Sequence, residues 1–353
     1  MSETIARETA REAIARAESA VQQERWLDAL EAYRAGAELA ENGDESGPAR
    51  ADALRGSAIV RMRLGAWQEA VRDIAESCLI AQRMGDERRL ALAQNVRGAI
   101  EFERGNWEEA ARRYAVAQIH AATVEDIPLL MEIENNEGAL WAARGDRVRA
   151  EEHFRRALKR FEELERHPCG ARVLNNLGMI LASSGRYDEA EHAYARALAE
   201  CKRRADLVLA TTVMINRARL ALAKDEPIRA HMLATTAQIF AERLENGPLA
   251  ADAACLLGAV ARSQRRWTEA GWHLAMALAR SAGGRAPLTE AEAWLERGRL
   301  HEEMGQLEDA IEALRQARRC YLGLGSDPEA ERLEKRIADL TRPAAEVPAK
   351  ATA

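Results

Sequence analysis

The chain has 353 residues, of which 47% are apolar and 31% are charged, and its formal net charge is −6 at pH 7. This composition supplies enough apolar material for a long core under a charged surface, and it excludes disorder for most of the chain. Acidic and basic residues are interleaved throughout. We therefore expect no basic stripe that neutralises phosphates and no nucleic-acid partner.

The cysteines and the apolar segments exclude further classes of protein. The five cysteines are far apart, odd in number and never arranged as CxxC, which predicts neither a disulfide framework nor a zinc site. The N-terminus lacks an apolar core of signal-peptide length. The longest apolar stretch, around residues 207–215, is far short of the roughly 20 residues that span a bilayer. We expect a cytoplasmic protein with reduced thiols and no membrane partner.

In chain order, the predicted elements are pairs of helices. A first pair near residues 10–50 contains Ala17, Trp26, Ala29 and Tyr33. From residue 51 onward the sequence aligns in blocks of 40 with no insertion, and one column holds the same residue in seven blocks. That column is Ala70, Ala110, Ala150, Ala190, Ala230, Ala270 and Ala310. We predict repeats near 10–50, 51–90, 91–130, 131–170, 171–210, 211–250, 251–290 and 291–326.

Three further columns explain the period physically. Twelve residues before each alanine stands Ala or Gly, such as Ala58 or Gly98, because two antiparallel helices cross closely there. A recurring glycine, such as Gly65, supplies the left-handed conformation that ends the first helix of each pair. Aromatic residues near the start and the middle of the second helix, such as Trp107 and Tyr114, are predicted to be core.

The C-terminal end departs from the repeat. Asp327 is suited to cap a last helix over 327–340 with a polar outer face, which predicts a capping helix. The remaining residues, 341–353, have no apolar period and are predicted to be a disordered tail. Residues 1–340 are thus predicted to form a single continuous array.

The order of small residue, Gly, aromatic, Ala, aromatic and Ala in LNNLGMILASSGRYDEAEHAYARALA (174–199) resembles the tetratricopeptide repeat (TPR) family. The resemblance covers nearly the whole chain. It implies an all-α fold, a right-handed α-α superhelix (solenoid) of about eight helix pairs with a C-terminal capping helix. The 40-residue spacing is similar to that of kinesin light chains, of maltose-regulon type bacterial activators and of bacterial peptide-pheromone receptors.

In arrays of this kind the first helix of each pair lines the concave face, so polar residues that recur there are candidate binding residues. Two offset columns of asparagine, here called the asparagine ladder, are Asn95, Asn135 and Asn175 followed by Asn136, Asn176 and Asn216. A carboxamide carries a donor and an acceptor, so a regular row of carboxamides can pair with the backbone of an extended peptide. In kinesin light chains, which this sequence resembles, such asparagines face cargo peptides. The alternative is that the ladder bonds neighbouring helices and fixes repeat stacking.

Arginines are the other candidate binding residues. Arg55 and Arg172 are predicted to point inward toward the N-terminal part of the array, and Arg219 toward the C-terminal part, each among acidic residues. The seven histidines share no column, no HExxH or phosphate-binding loop occurs, and we expect neither catalysis, a metal nor a cofactor.

The sequence therefore predicts a scaffold or adaptor that binds an extended peptide segment of a partner protein. The alternatives are a regulator that responds to a small ligand or signalling peptide, and an array that self-associates through its ends or through its exposed second-helix faces.

Overall fold

The computed structural model describes residues 8–23, 25–41, 46–164, 169–283 and 286–341. The regular structure of these residues is entirely α-helical. The helices are α1 (Ala10–Gln22), α2 (Trp26–Glu41), α3 (Ser46–Arg63), α4 (Trp67–Met84), α5 (Glu87–Glu103), α6 (Trp107–Thr123), α7 (Ile127–Ala143), α8 (Arg147–Glu163), α9 (Gly170–Ser183), α10 (Tyr187–Arg204), α11 (Leu207–Ala223), α12 (Pro227–Arg243), α13 (Gly247–Ser263), α14 (Trp267–Ser281), α15 (Pro287–Glu303), α16 (Leu307–Gly323) and α17 (Asp327–Thr341). The fold is an all-α helical-repeat solenoid. The predicted tail beyond residue 341 lies outside the described residues.

The chain forms two compact units, Met1–Ile180 and Leu181–Ala353, whose boundary falls inside α9. In unit 1 each odd-numbered helix from α1 to α7 contacts the next odd-numbered helix, and in unit 2 α11 contacts α13 and α13 contacts α15. Within the described residues, the even-numbered helices make no such contacts with one another. The odd-numbered helices therefore form the tighter layer, which is the concave side of each unit. We call them the odd layer and the others the even layer.

Side-chain caps start most helices of the odd layer. The carboxylates of Asp86, Asp126 and Asp206 and the amide oxygen of Asn246 each accept a hydrogen bond from the backbone N–H three residues on. These residues stand at multiples of the 40-residue period, so the repeat carries its own start signal. Glycine in the left-handed region ends several odd helices, as at Gly65. Asp225 and Arg265 take the same position in two later repeats, with φ of 58° at each.

The alanine column is core, as predicted: all seven alanines from Ala70 to Ala310 are fully buried. The column of Ala or Gly twelve residues before each alanine, here called the small column, also lets the two helices of a pair pack closely. A Cβ on Gly98 would lie 2.5 Å from the ring of Tyr114, and one on Gly138 would lie 2.6 Å from the ring of Phe154. The aromatic ring of the even helix thus fills the space that the glycine leaves.

The aromatics that begin the even helices are less buried than predicted. Trp67, Tyr187 and Trp267 are half-buried, and Trp107 is 37% exposed. Each is the first residue of its helix, next to the turn, so one side of the ring faces solvent. The aromatics in the middle of the even helices, such as Tyr114 and Phe154, are buried as expected.

Candidate functional site

The asparagine ladder forms hydrogen bonds between successive helices of the odd layer. Nδ2 of Asn136 on α7 donates to Oδ1 of Asn95 on α5 at 3.0 Å. Nδ2 of Asn176 on α9 donates to Oδ1 of Asn135 on α7, also at 3.0 Å. Asn175 donates to Oδ1 of Asn176 at 3.4 Å. Each of the two 3.0 Å bonds joins one repeat to the next, which is the arrangement that the stacking alternative requires.

Burial divides the ladder into two sets. Four of its side chains are buried between helices: Asn95, Asn135, Asn175 and Asn216. Asn136 and Asn176 are half-buried. This corrects the expectation of six amides open to a ligand, because an amide that bonds the next repeat has to lie in the interface between odd helices. Contact of Asn136 and Asn176 with a partner backbone stays a prediction.

In unit 2 the recurring polar group is an arginine held by two carboxylates. Arg219 on α11 is paired with Asp252 on α13, and its Nη2 lies 3.1 Å from Glu292 on α15. The same side chain donates to Oδ1 of Asn216 at 3.3 Å. Asp252 and Glu292 are 40 residues apart, in one column of the repeat. Arg219 therefore joins three successive helices of the odd layer.

A second arginine on the odd layer also pairs with two carboxylates, both of them on one neighbouring helix. Nε of Arg262 on α13 lies 2.9 Å from Glu296 on α15, and its Nη1 is paired with Glu303. Arg299 also pairs with Glu296. The odd layer of unit 2 consequently presents charges that are nearly balanced, with a small excess of carboxylates.

Four of these charged groups line an open cavity of about 410 Å³ in unit 2. Its apolar walls come from all three odd helices, and Tyr321 of α16 closes one end. Arg219, Glu292, Glu296 and Arg299 lie among the lining residues. The apolar lining residues are Leu222, Ala223, Cys255, Leu256, Ala259 and Leu295. A volume of this size suits one large side chain or a small ligand.

Burial sets the protonation of the cavity groups. Burial raises the pKa of Glu292, and the nearby Arg219 guanidinium opposes that rise. Burial also raises the pKa of Tyr321 to about 12 and holds the pKa of the Cys255 thiol well above its ordinary value. Cys255 is therefore a protonated thiol at neutral pH and acts as a small apolar group rather than as a nucleophile.

Unit 1 has its own cavity, of about 610 Å³, at its N-terminal end. Arg55 lines it and lies 3.6 Å from Asp52, which also pairs with Arg89 at 3.0 Å. The predicted arginines thus do not form one site. Arg55 belongs to this cavity, Arg219 to the cavity in unit 2, and Arg172 is exposed on α9.

The sequence predicted Arg219 to point inward among acidic residues but did not predict that Asp252 and Glu292 both bind it. It missed Cys255 and Tyr321 as cavity residues. The shared column of Asp252 and Glu292 was a signal from which their pairing with Arg219 could have been predicted. A single cysteine and a single tyrosine carry no such periodic signal.

Metal sites, membrane segments and disulfides can be described for the part of the chain with assigned positions. There, no three His, Cys, Asp or Glu side chains are grouped so that they could hold a metal ion. None of the described helices is both long and apolar enough to cross a membrane. None of the five cysteines forms a disulfide; four of them are buried and Cys320 is half-buried.

Three segments of the chain match sequence models of the tetratricopeptide repeat, namely residues 14–87, 129–203 and 291–317. The chain belongs to the tetratricopeptide repeat family, as its 40-residue columns predicted. No curated protein matches the chain in sequence.

Several solved structures share the fold at low sequence identity. A Rap protein complexed with competence and sporulation factor superposes with a TM-score of 0.64 at 13% identity, covering 94% of this chain and 97% of that one. The Rap conjugation regulator of plasmid pLS20, in complex with the Phr* peptide, has a TM-score of 0.59 at 13% identity, covering 98% and 82%. A signal transduction ATPase with a tetratricopeptide repeat sensor from Pyrococcus horikoshii has a TM-score of 0.63 at 14% identity, covering 93% and 50%.

Proposed function

We propose that this protein is a non-catalytic scaffold or adaptor that binds an extended segment of a partner protein along the concave side of unit 2. The observation that carries the proposal is the cavity of about 410 Å³ in the odd layer, with an apolar floor and a charged rim. Apolar pockets with a few polar groups are the usual form of a side-chain or ligand site. Two of the structures similar in fold hold a named factor or peptide, which supports a peptide as the ligand.

The cavity would take one large apolar side chain of the partner segment. The floor residues Cys255, Leu256 and Ala259 are uncharged, so burial of an apolar group there is favourable. At the rim, Glu292 and Glu296 lie beside Arg219 and Arg299. The wider odd layer of unit 2 adds the carboxylates of Asp252 and Glu303 beyond this balanced rim, so we infer that a basic residue next to the apolar anchor would be favoured.

The asparagine ladder has a subsidiary place in this proposal. Asn136 and Asn176 are the two members with exposed surface, and the bond that each donates to the preceding repeat uses only one of the two N–H groups of its amide. A net hydrogen bond contributes ~0.5–1.5 kcal/mol. Two such contacts would therefore fix the register of the bound segment but would not supply most of the affinity. The apolar anchor would supply the larger share.

The proposal is tested by filling the cavity from its rim. Ala223 is exposed at the end of α11 and lines the cavity, so Ala223→Trp fills it without disturbing the core. The matched control is Ala195→Trp on α10, which places the same ring on an exposed even helix. Both variants and the wild type are used to capture partners from cell extract, and the bound segment is then mapped with synthetic peptides and its affinity measured.

We expect Ala223→Trp to weaken binding of the mapped peptide by at least about tenfold, which is the loss typical of a removed anchor residue. Ala195→Trp should bind as the wild type does. Equal binding by all three proteins would refute the cavity as the site. Asn135 and Asn175 are poor probes because they are buried and their replacement alters stability as well.

A ligand-responsive regulator is the second candidate, and the bound factor and peptide in the Rap structures favour it. The two candidates differ in consequence rather than in site. If the mapped peptide changes the radius of gyration in small-angle X-ray scattering and alters binding of another protein, regulation is the function. If neither the radius of gyration nor the binding of another protein changes, the protein acts as a scaffold.

A further inference from the structure

The even layer of unit 2 carries an apolar patch that the repeat does not call for. On α12, Ile228 is 74% exposed, Met232 65% and Ile239 47%. At 3.6 residues per turn these side chains fall within an arc of about 40°. Trp272 on α14 is 58% exposed and stands one repeat after Met232. We call Ile228, Met232, Ile239 and Trp272 the α12 patch.

The period itself shows that the patch is exceptional. The positions equivalent to Met232 in five other repeats are charged or polar: Arg72, Arg112, Glu152, His192 and Glu312. Those equivalent to Ile228 in five other repeats are likewise polar: Gln68, Glu108, Asp188, Thr268 and Glu308. At these two positions the other repeats thus keep a polar outer face, with Val148 and the patch residue Trp272 as exceptions, whereas the position of Ile239 is also apolar at Leu79 and Ile119. A cluster of exposed apolar side chains on one helix face that breaks such a pattern is the mark of an interaction site.

Charges at the two ends of α12 indicate what covers the patch. Asp225 precedes the helix and Arg243 ends it, and both are exposed. Their charged neighbours are already engaged within the molecule, since Glu226 accepts from Arg229 at 3.0 Å and Glu242 accepts from Arg280 at 3.1 Å. The helix therefore offers an acid at one end, a base at the other and apolar side chains between them.

Such a helix is complementary to itself in the antiparallel direction. Two copies paired in this way place Asp225 of each near Arg243 of the other and stack the Ile228 end on the Ile239 end, whereas parallel pairing sets like charges together. Near the centre, the Thr236 hydroxyl already donates to the Met232 carbonyl at 2.8 Å, so it can be covered without losing a hydrogen bond. The same surface then meets itself, as a two-fold dimer requires.

We propose that a second copy of this chain docks on the α12 patch, with the two α12 helices antiparallel across a two-fold axis. The dimer lies on the even layer and leaves the concave side of unit 2 free for the partner segment.

The test is sedimentation of the full chain over a dilution series. The key variant is Met232→Glu, which introduces the residue that Glu152 and Glu312 show to be accepted at this position. Ile119→Glu is the matched control, because Ile119 is 66% exposed on α6, at the position equivalent to Ile239, and lies outside the patch. Circular dichroism confirms that each variant is folded.

Orientation is tested by exchanging the end charges. Asp225→Arg introduces the residue found at the equivalent Arg265, and Arg243→Glu the residue found at the equivalent Glu163, so both should fold. We expect each single variant to raise the dissociation constant of the dimer about two- to fivefold for each exposed ion pair lost. The double variant should restore the wild-type dissociation constant.

The wild type should change from monomer to dimer as concentration rises. Met232→Glu should raise the dissociation constant at least about tenfold, and Ile119→Glu should leave it unchanged. A monomeric wild type at all concentrations, or a dimer that Met232→Glu leaves intact, would overturn the proposal. A double charge variant no better than the single ones would refute the antiparallel arrangement.

Discussion

The close crossing of α7 and α8 at Gly138 leads to a prediction that can be worked from distances. A Cβ at this position would lie 2.6, 2.7 and 2.9 Å from Cε1, Cδ1 and Cζ of Phe154. Phe154 is buried, so the ring has no solvent side to move into. Ordinary contact begins near 3.4 Å. The ring and the helix backbone must therefore separate by about 0.8 Å in Gly138→Ala, which strains a packed core.

Two opposing effects set the magnitude. Overpacking costs about 1–3 kcal/mol, and replacing a helical glycine by alanine returns about 1 kcal/mol. Gly271→Ala is the matched control, because Gly271 is also inside a helix and its Cβ would have only one neighbour, at 4.0 Å from Leu300. Both variants gain the helix propensity, so the free energies of unfolding should differ by about 1–3 kcal/mol, with Gly138→Ala the less stable.

Urea denaturation followed by circular dichroism gives the midpoints, and hydrogen exchange in α7 shows whether the loss is local. The repeat itself supplies a second test. Ala58 occupies the same column as Gly138, and its even-helix partner is Ile74 rather than a ring. In a Phe154→Ile background, Gly138→Ala should lose most of its penalty. If Gly138→Ala and Gly271→Ala shift the midpoint equally, or if Phe154→Ile brings no relief, close packing at the small column is not what requires glycine.

Two further predictions concern backbone conformation and pH. Ala205 has φ of 56°, so Ala205→Gly should stabilise the fold by up to about 1 kcal/mol. Gly185 has φ of 75°, so Gly185→Ala should destabilise the fold. Shifts of the same sign in the thermal unfolding of the two variants would refute this. His273 is buried, and burial together with the nearby His231 lowers its pKa from 6.5. The unfolded chain then binds more protons than the folded one below about pH 6.5, so stability should fall as the pH drops through that value. His273→Gln should flatten this pH dependence, and His192→Gln, at an exposed position, should not. The measurement is the urea midpoint from pH 5 to 8, roughly the range in which histidine titrates. Equal pH dependence in the two variants would contradict the assignment to His273.

The sequence alone determined the helix pairs, their period and their crossing points. Columns such as Ala70 and Gly98 are visible because each repeat needs the same close approach at the same place, so the physical requirement is written every 40 residues. The capping Asp126 and the left-handed Gly65 are local signals of the same kind, since they depend only on residues within one turn of the chain. The family followed from these columns.

Only the tertiary structure decided which polar groups line a cavity and which bond each other. Asn95 and Asn136 are 41 residues apart, and whether they bond across the repeats or point into solvent depends on how closely α5 and α7 stack. The same holds for Arg219, whose two carboxylate partners come from different helices. A periodic sequence fixes the face on which a residue stands, but the spacing between helices determines whether its side chain meets a neighbour or a cavity.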